Sequence, residues 1–272
     1  MTTTPPTRLA ISGAAGRMGQ ALATLTLDAS DLTLTGVTEA PMYDGIGKDI
    51  GELIGRGKTG LTLTTDVTAA SADAQAFIDF TRPKATLAAI EALKGTSVRA
   101  LVIGTTGFSS DEFLALQEWS RDFAIVYSGN YSLGVNMLSA LVEQAAKSLG
   151  DDWDIEVLET HHRHKVDAPS GTALLLGEAA ARGKGEDLED LRLPPYDGVT
   201  GERPKGKIGF SVRRSGGVIG EHEVTFGSEE EILSLAHTAL DRRVFARGAL
   251  RAAKWAADKS PGWYSMKDVL GL

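Results

Sequence analysis

Most of the residues able to do chemistry stand in one stretch, Glu159-Thr-His-His-Arg-His-Lys-Val-Asp-Ala-Pro-Ser-Gly-Thr-Ala173. His161, His162 and His164 fall with Arg163 and Lys165 inside five consecutive positions of an otherwise acidic chain. Histidine changes charge near neutral pH and lysine is a ready cation, so the cluster offers proton donors and positive charge together. Just downstream, Ser170-Gly171-Thr172 open an apolar helical pattern, with Pro169 before them. The start of a helix presents unpaired backbone N–H groups and a partial positive charge, which suits a carboxylate or phosphate. The combination reads as an anion site with acid–base groups attached.

Other readings of a basic cluster are a solvated face or a nucleic-acid patch. No aromatic residues interleave it and no wider basic surface accompanies it, which argues against nucleic acid. No glutamate falls inside the cluster to make an H-E-x-x-H motif, and the chain has no cysteine, so no metal site is expected.

A second group of residues points to a dinucleotide. Gly13-Ala14-Ala15-Gly16-Arg17-Met18-Gly19 follows the short apolar run Arg8–Ser12 and precedes a helical pattern through Ala21, Leu22, Leu25 and Leu27. Strand, glycine turn and helix in that order let backbone approach a pyrophosphate at the helix start. The spacing is G-x-x-G-x-x-G rather than G-x-G-x-x-G, and a glycine turn without a ligand is the competing explanation. The next strand, Leu32–Thr38, ends in Glu39, placed where an acid meets the adenosine ribose hydroxyls. Ala40 follows, with no adjacent Arg or Lys for a 2′-phosphate, which favours NADH over NADPH unless Lys48, Arg56 or Lys58 folds back.

These residues require elements to position them. Strands are predicted at Ala76–Phe80, Arg99–Ile103 and Phe123–Tyr127, alternating with helices that end near Lys94 and begin near Asp111, the latter capped by Ser109 or Ser110. Their β–α turns, Gly104-Thr105-Thr106 and Ser128-Gly129-Asn130-Tyr131, would lie at the carboxyl ends of parallel strands, where open α/β sheets bind ligands. After about residue 132 the rhythm changes to a helix over Leu133–Leu149, a strand over Trp153–Glu159 and a helix over Gly171–Arg182. Residues 183–206 read as a long Gly, Pro and charge-rich loop. Lys207–Arg214 and Val218–Phe226 suggest a hairpin around Ser215-Gly216-Gly217, and Glu231–His237 a further strand. His222 and His237, on these strands, look structural rather than catalytic. Arg242–Ala257 is a last helix, expected to return to the first domain. The fold class is therefore α/β: a Rossmann-like dinucleotide-binding domain (1–131 and 241–272) and a central α+β domain with a mixed sheet (132–240).

The 272 residues carry 28 Lys plus Arg against 36 Asp plus Glu, a formal charge of −8, so an anionic ligand must be held by local groups. The absence of cysteine excludes disulfides and thiol nucleophiles. Met1–Thr7 is a polar lead-in rather than a signal peptide and no apolar run approaches membrane-spanning length, so a cytoplasmic protein with no membrane partner is expected.

Gly-Ala-Ala-Gly-Arg-Met-Gly (13–19), Phe-Ile-Asp-Phe-Thr-Arg-Pro (77–83), Gly-Thr-Thr-Gly-Phe (104–108) and the 159–173 stretch, in this order, resemble the 4-hydroxy-tetrahydrodipicolinate reductase family, formerly called dihydrodipicolinate reductase. The resemblance runs from about Arg8 to the C-terminus; its histidine element is highly specific, whereas the glycine fingerprint is shared with many dehydrogenases. It implies NADH- or NADPH-dependent reduction of a cyclic dicarboxylate in the diaminopimelate route to lysine, by a homotetramer. It also implies roles: His161 as catalytic proton donor or acceptor, Lys165 as catalytic proton donor, and His162, Lys165, Ser170, Gly171 and Thr172 as substrate contacts. Gly13 to Met18, Glu39, Gly104 to Thr106 and Ser128 to Tyr131 fall at its cofactor positions, while Ala40 departs from members with a basic residue there. A reductase of another small imino or keto dicarboxylate, or a non-catalytic dinucleotide sensor, remains the alternative.

Overall fold

The computed structural model describes residues 5–272, so Met1–Thr4 of the polar lead-in lie outside the described residues. In chain order the first elements are β1 (Thr7–Ser12), α1 (Arg17–Asp28), β2 (Leu32–Thr38), α2 (Ile50–Leu53), α3 (Val67–Ala70), β3 (Ala76–Asp79) and α4 (Pro83–Ala92). They continue with β4 (Ala100–Ile103), α5 (Ser110–Glu118), β5 (Ala124–Tyr127), α6 (Leu133–Ser148), β6 (Asp154–His161) and α7 (Gly171–Lys184). The remainder is α8 (Leu188–Leu191), β7 (Ile208–Arg214), β8 (Glu221–Gly227), β9 (Ile232–Thr238), α9 (Arg243–Ala256), β10 (Gly262–Tyr264) and α10 (Met266–Leu270). Residues up to Ser132 form one unit with Arg243–Leu272, and Leu133–Arg242 form a second.

The first unit is built on a six-stranded sheet of order β10-β5-β4-β3-β1-β2, parallel throughout. β3 and β4 are buried at every position, as expected of continuous apolar runs covered on both faces. Phe77, Leu101 and Ile125 from the sheet pack with Ile90, Leu93 and Leu116 from the helices. Local signals set the helix starts. Pro83 occupies the first turn of α4, and Ser109, not Ser110, caps α5 in a reciprocal capping box with Glu112. α9 packs against α1 and β4, and Lys254 on it pairs with Asp31.

The second unit has a four-stranded mixed sheet of order β7-β6-β8-β9. α6 and α7 cover one face, with Leu138, Val142, Leu176 and Ala180 packed on Ile155, Val157, Val224 and Phe226. The expected hairpin of β7 with β8 does not form: β6 lies between them, parallel to β7 and antiparallel to β8. The reason is visible in the turn. Ser215 N–H donates to the His161 carbonyl (2.8 Å) and Arg163 N–H to the Gly216 carbonyl (3.2 Å), so the glycine turn is tied to the end of β6. β7, with Ser211, Val212 and Arg213 exposed, is suited to the edge.

The 183–206 segment is also more ordered than its composition suggests. α7 runs on to Lys184, and α8 buries Leu191. Arg203 then clamps the loop through Asp154 (2.7 Å) and Glu156 (3.0 Å) and the carbonyls of Ile155 and Lys207.

Candidate active site

In the first unit the glycine turn lies between β1 and α1, beside the point where strand order reverses between β1 and β3. Such a reversal opens a crevice at the carboxyl ends of the strands. Gly13 has φ +66°, a conformation that favours glycine. At Gly19 a Cβ would stand 2.2 Å from the Gly13 carbonyl, so only glycine lets α1 approach the turn this closely. Gly16 precedes α1 with no side chain capping the helix and no acid in its first turn, which leaves the helix start to an anionic ligand. Glu39, directly after β2, accepts hydrogen bonds from the N–H groups of Ala15 (2.9 Å) and Ala40 (2.8 Å). Its carboxylate is thereby held against the turn, where ribose hydroxyls would meet it. These features fit a dinucleotide.

The other expected cofactor positions divide by orientation. Gly16, Arg17, Thr106 and Gly129 are exposed, whereas Ala14, Thr105 and Tyr131 are buried. The Thr105 hydroxyl lies 2.9 Å from the Asp79 carboxylate, and the Tyr131 hydroxyl lies 2.7 Å from the Val126 carbonyl. Any contact with a ligand at Thr105 and Tyr131 would therefore fall to backbone, the side chains being committed to the interior. Ser128 and Asn130 bond to each other's turn: the Ser128 hydroxyl donates to the Asn130 carbonyl (2.7 Å). Arg56, one of the bases considered for a 2′-phosphate, pairs with Asp28 (2.6 Å).

In the second unit the histidine cluster sits at the carboxyl end of β6, whose last three residues are all buried. His161 is thus the final strand residue rather than the first of a loop. Its Nδ1 lies 2.5 Å from Oε2 of Glu159, two residues back on the same face. Glu159 also receives both guanidinium nitrogens of Arg214, at 2.9 and 3.1 Å, and the N–H of Ser170 at 2.9 Å. Burial pushes the Glu159 carboxyl up, but the hydrogen bonds from Arg214, His161 and Ser170 prevail and hold it below its ordinary range.

Lys165 is held at 2.9 Å by Asp167, whose carboxyl that ammonium draws down. His162 is pushed down first by partial burial and then by Arg242, His164, His161 and Lys165, which favours its neutral form. Its Nδ1 is buried without a partner. Ser170 caps α7: its hydroxyl accepts the Ala173 N–H (3.1 Å) and lies 3.1 Å from Nε2 of His222. Ser170 is 1% exposed and its polar groups are engaged within the protein, so it builds the helix start rather than offering a hydroxyl to a ligand. A side chain on Gly171 would meet nothing within 4 Å, which leaves open space beside that backbone.

His222, expected to be structural, is buried against this cluster, its ring 5.0 Å from that of His161. Burial and the neighbouring His161 push its pKa down to about 4. Glu159 and Asp167 lie within the sequence stretch already singled out, and their spacing of two from His161 and Lys165 is a usable signal. Arg214 and His222 are 55 and 52 residues from their partners in the chain, and only the mixed sheet brings them in.

Residues 7–131 match a family model described as dihydrodipicolinate reductase, N-terminus, and residues 134–270 match the corresponding C-terminus model. The 4-hydroxy-tetrahydrodipicolinate reductase of Rhizobium rhizogenes is 54% identical over 266 residues, 97% of each chain. That of Dinoroseobacter shibae is 52% identical over 264 residues, 97% of this chain and 98% of its own. Among solved structures, dipicolinate-bound dihydrodipicolinate reductase from Paenisporosarcina sp. TG-14 superposes with a TM-score of 0.74 over 96% of this chain and 97% of its own, at 21% identity. An amine dehydrogenase from Mycobacterium smegmatis, 14% identical with a TM-score of 0.64 over 96% of this chain and 95% of its own, shares the fold alone. With both family models matched in order and near-complete relatives above half identity, the chain belongs to the dihydrodipicolinate reductase family.

Proposed function

We propose that the chain reduces 4-hydroxy-tetrahydrodipicolinate to tetrahydrodipicolinate in diaminopimelate and lysine biosynthesis. In balance, a hydride and a proton are added to the ring and water leaves. The nicotinamide, when bound, supplies the hydride; everything else is asked of the protein's side chains and backbone. The observation that carries the proposal is the second unit's cluster, where proton donors, cations and an open helix start gather at the end of one strand.

A dicarboxylate needs two anion-binding ends. The backbone of Gly171 and Thr172 at the start of α7 suits one carboxylate, with open space beside Gly171. Lys165, with His162, suits the other or the ring nitrogen. Hydride arriving at an electron-poor ring leaves an enamine-like anion, and His161 or Lys165 protonates it. Positive charge already in place at this site favours that anion without reorganisation. The glycine turn, the start of α1 and Glu39 would hold the dinucleotide, with contacts at Gly104–Thr106 and Ser128–Tyr131. With Ala40 uncharged and Arg56 paired to Asp28, NADH is the favoured form over NADPH. The family likeness also implies a homotetramer. Ile232 and Leu233 on β9 and Val212 on β7, exposed on the two edge strands, offer apolar surface for one. No helix among the described residues is long and apolar enough to cross a membrane, in keeping with a cytoplasmic enzyme.

The test is substitution in the full-length protein. His161→Ala and Lys165→Ala should each lower kcat by roughly 10² to 10⁴, the usual worth of a positioned acid. NADH affinity, measured by calorimetry, should be unchanged. Wild-type turnover in both variants would remove the mechanism.

A further inference from the structure

Glu159 and Arg214 are placed as His161 is, and the arrangement assigns them a task. The Glu159 carboxylate is fully buried and each oxygen takes two donors. Oε2 takes His161 Nδ1 and one Arg214 nitrogen, while Oε1 takes the Ser170 N–H and the other Arg214 nitrogen. An ionised carboxylate only accepts hydrogen bonds. The imidazole proton therefore resides on Nδ1, and Nε2 is left as the nitrogen that exchanges a proton with anything outside the network.

Nε2 faces Gly220. A Cβ on Gly220, in the turn before β8, would stand 3.2 Å from His161 Nε2 and 3.4 Å from Cε1 of His222. Gly220 does not have positive φ, so its backbone does not require glycine. A side chain there would instead press on Nε2. Arg214 fixes the frame as a whole. Besides gripping Glu159 it donates to the Asp167 carbonyl at 2.7 Å, tying β7 to the loop that carries Lys165.

We infer that Glu159, braced by Arg214, is a positioning residue that fixes the Nδ1–H tautomer of His161, and that Gly220 keeps open the approach to Nε2, the working atom. This rests on the protonating role proposed for His161. A carboxylate that orients a histidine acts by holding one tautomer, and losing it leaves the geometry in place with the wrong nitrogen protonated.

The experiment uses full-length protein labelled with ¹⁵N, with the His161 ring signals assigned by their loss in His161→Ala. At a pH where the ring is neutral, the wild type should show Nδ1 protonated and Nε2 bare. In Glu159→Gln the amide can donate where the carboxylate only accepted, and the ring should shift toward the Nε2–H tautomer. kcat should fall by on the order of 10², with KM for NADH unchanged. Gly220→Ala, which removes no hydrogen-bonding group of the network, should lower kcat while leaving the Nδ1–H tautomer in place, so the inference does not depend on Glu159→Gln folding. If His161→Ala is inactive while Glu159→Gln keeps both tautomer and kcat, the positioning role is wrong and the protonation role stands. Normal turnover in Gly220→Ala would overturn the part assigned to Gly220. Normal turnover in His161→Ala would overturn both.

Discussion

Two buried carboxylates stand near the carboxyl ends of central strands, one in each unit, and they are satisfied in opposite ways. Asp79 ends β3 in the first unit. One of its oxygens lies within hydrogen-bond distance of the Thr81 N–H (2.8 Å) and the hydroxyls of Thr81 (2.7 Å), Thr86 (3.0 Å) and Thr105 (2.9 Å). The other oxygen is buried with no partner. Glu159, near the end of β6 in the second unit, has both oxygens filled, by an arginine, a histidine and a backbone N–H. The first unit holds its crevice together with neutral hydroxyls and a tight glycine turn, which shape a cleft. The second uses charges, which set protonation states. Substitutions in the first should therefore be mild and act mainly through dinucleotide affinity, whereas loss of a charge in the second should cost both stability and turnover.

The largest effect that separates the two is loss of a charge partner. Arg214→Leu leaves Glu159 buried without its counter-ion and should cost about 3 kcal/mol in denaturant unfolding, with turnover lost besides. Asp79→Asn keeps an oxygen for the three threonines and puts a neutral group at the unpartnered position, so it should change stability by less than about 1 kcal/mol. Equal losses in the two variants would break the comparison.

Acid should separate the units next. His222 has its pKa pushed down to about 4 from 6.5 by burial and His161. A histidine kept neutral in the fold is protonated more readily in the unfolded chain, so stability falls as pH drops from about 6.5 to about 4. Asp49, in the first unit, behaves otherwise. Burial pushes its carboxyl up, but hydrogen bonds from Thr59, Gly60 and Gly51 prevail and hold it at about 2. Its contribution is present above the unfolded carboxylate range near 4 and is lost only as pH falls from there to about 2. Amide hydrogen exchange should accordingly rise around β8 before it rises at Gly51 and Gly60; the reverse order would contradict these assignments.

The smallest effect concerns the cofactor. Ala40→Arg adds an exposed cation beside Glu39 and should shift the ratio of NADPH to NADH use several-fold, roughly 1 kcal/mol. An unchanged ratio would mean that another group sets the preference.

What the sequence reveals of each unit follows from how local its signals are. In the first, apolar runs of four to seven residues are separated by helices with their own local start signals, so β2, predicted at Leu32–Thr38, forms over those same residues. β10 is not visible, because Gly262–Tyr264 is three partly buried residues that become a strand only by pairing with β5. In the second unit β7 and β8 each read correctly as strands, but their partner does not. Two runs joined by Ser-Gly-Gly look like a hairpin, and only the bonds from Ser215 and Arg163 across to β6 and its turn direct otherwise. The same non-locality hides Arg214 and His222 from the site, while His161, His162 and Lys165 stand together in the chain and are legible at once. Ser170 illustrates the limit of a motif: its position is right, yet its hydroxyl serves α7 and His222.

The most direct test follows the loss of reduced-nicotinamide absorbance with the purified full-length protein. Substrate would be made freshly from pyruvate and aspartate semialdehyde by the preceding synthase, with NADH and NADPH run side by side. Oxidation that depends on that substrate, faster with NADH, is the predicted result. No oxidation with either cofactor, from protein shown to be folded, would contradict the assignment and turn attention to another small dicarboxylate.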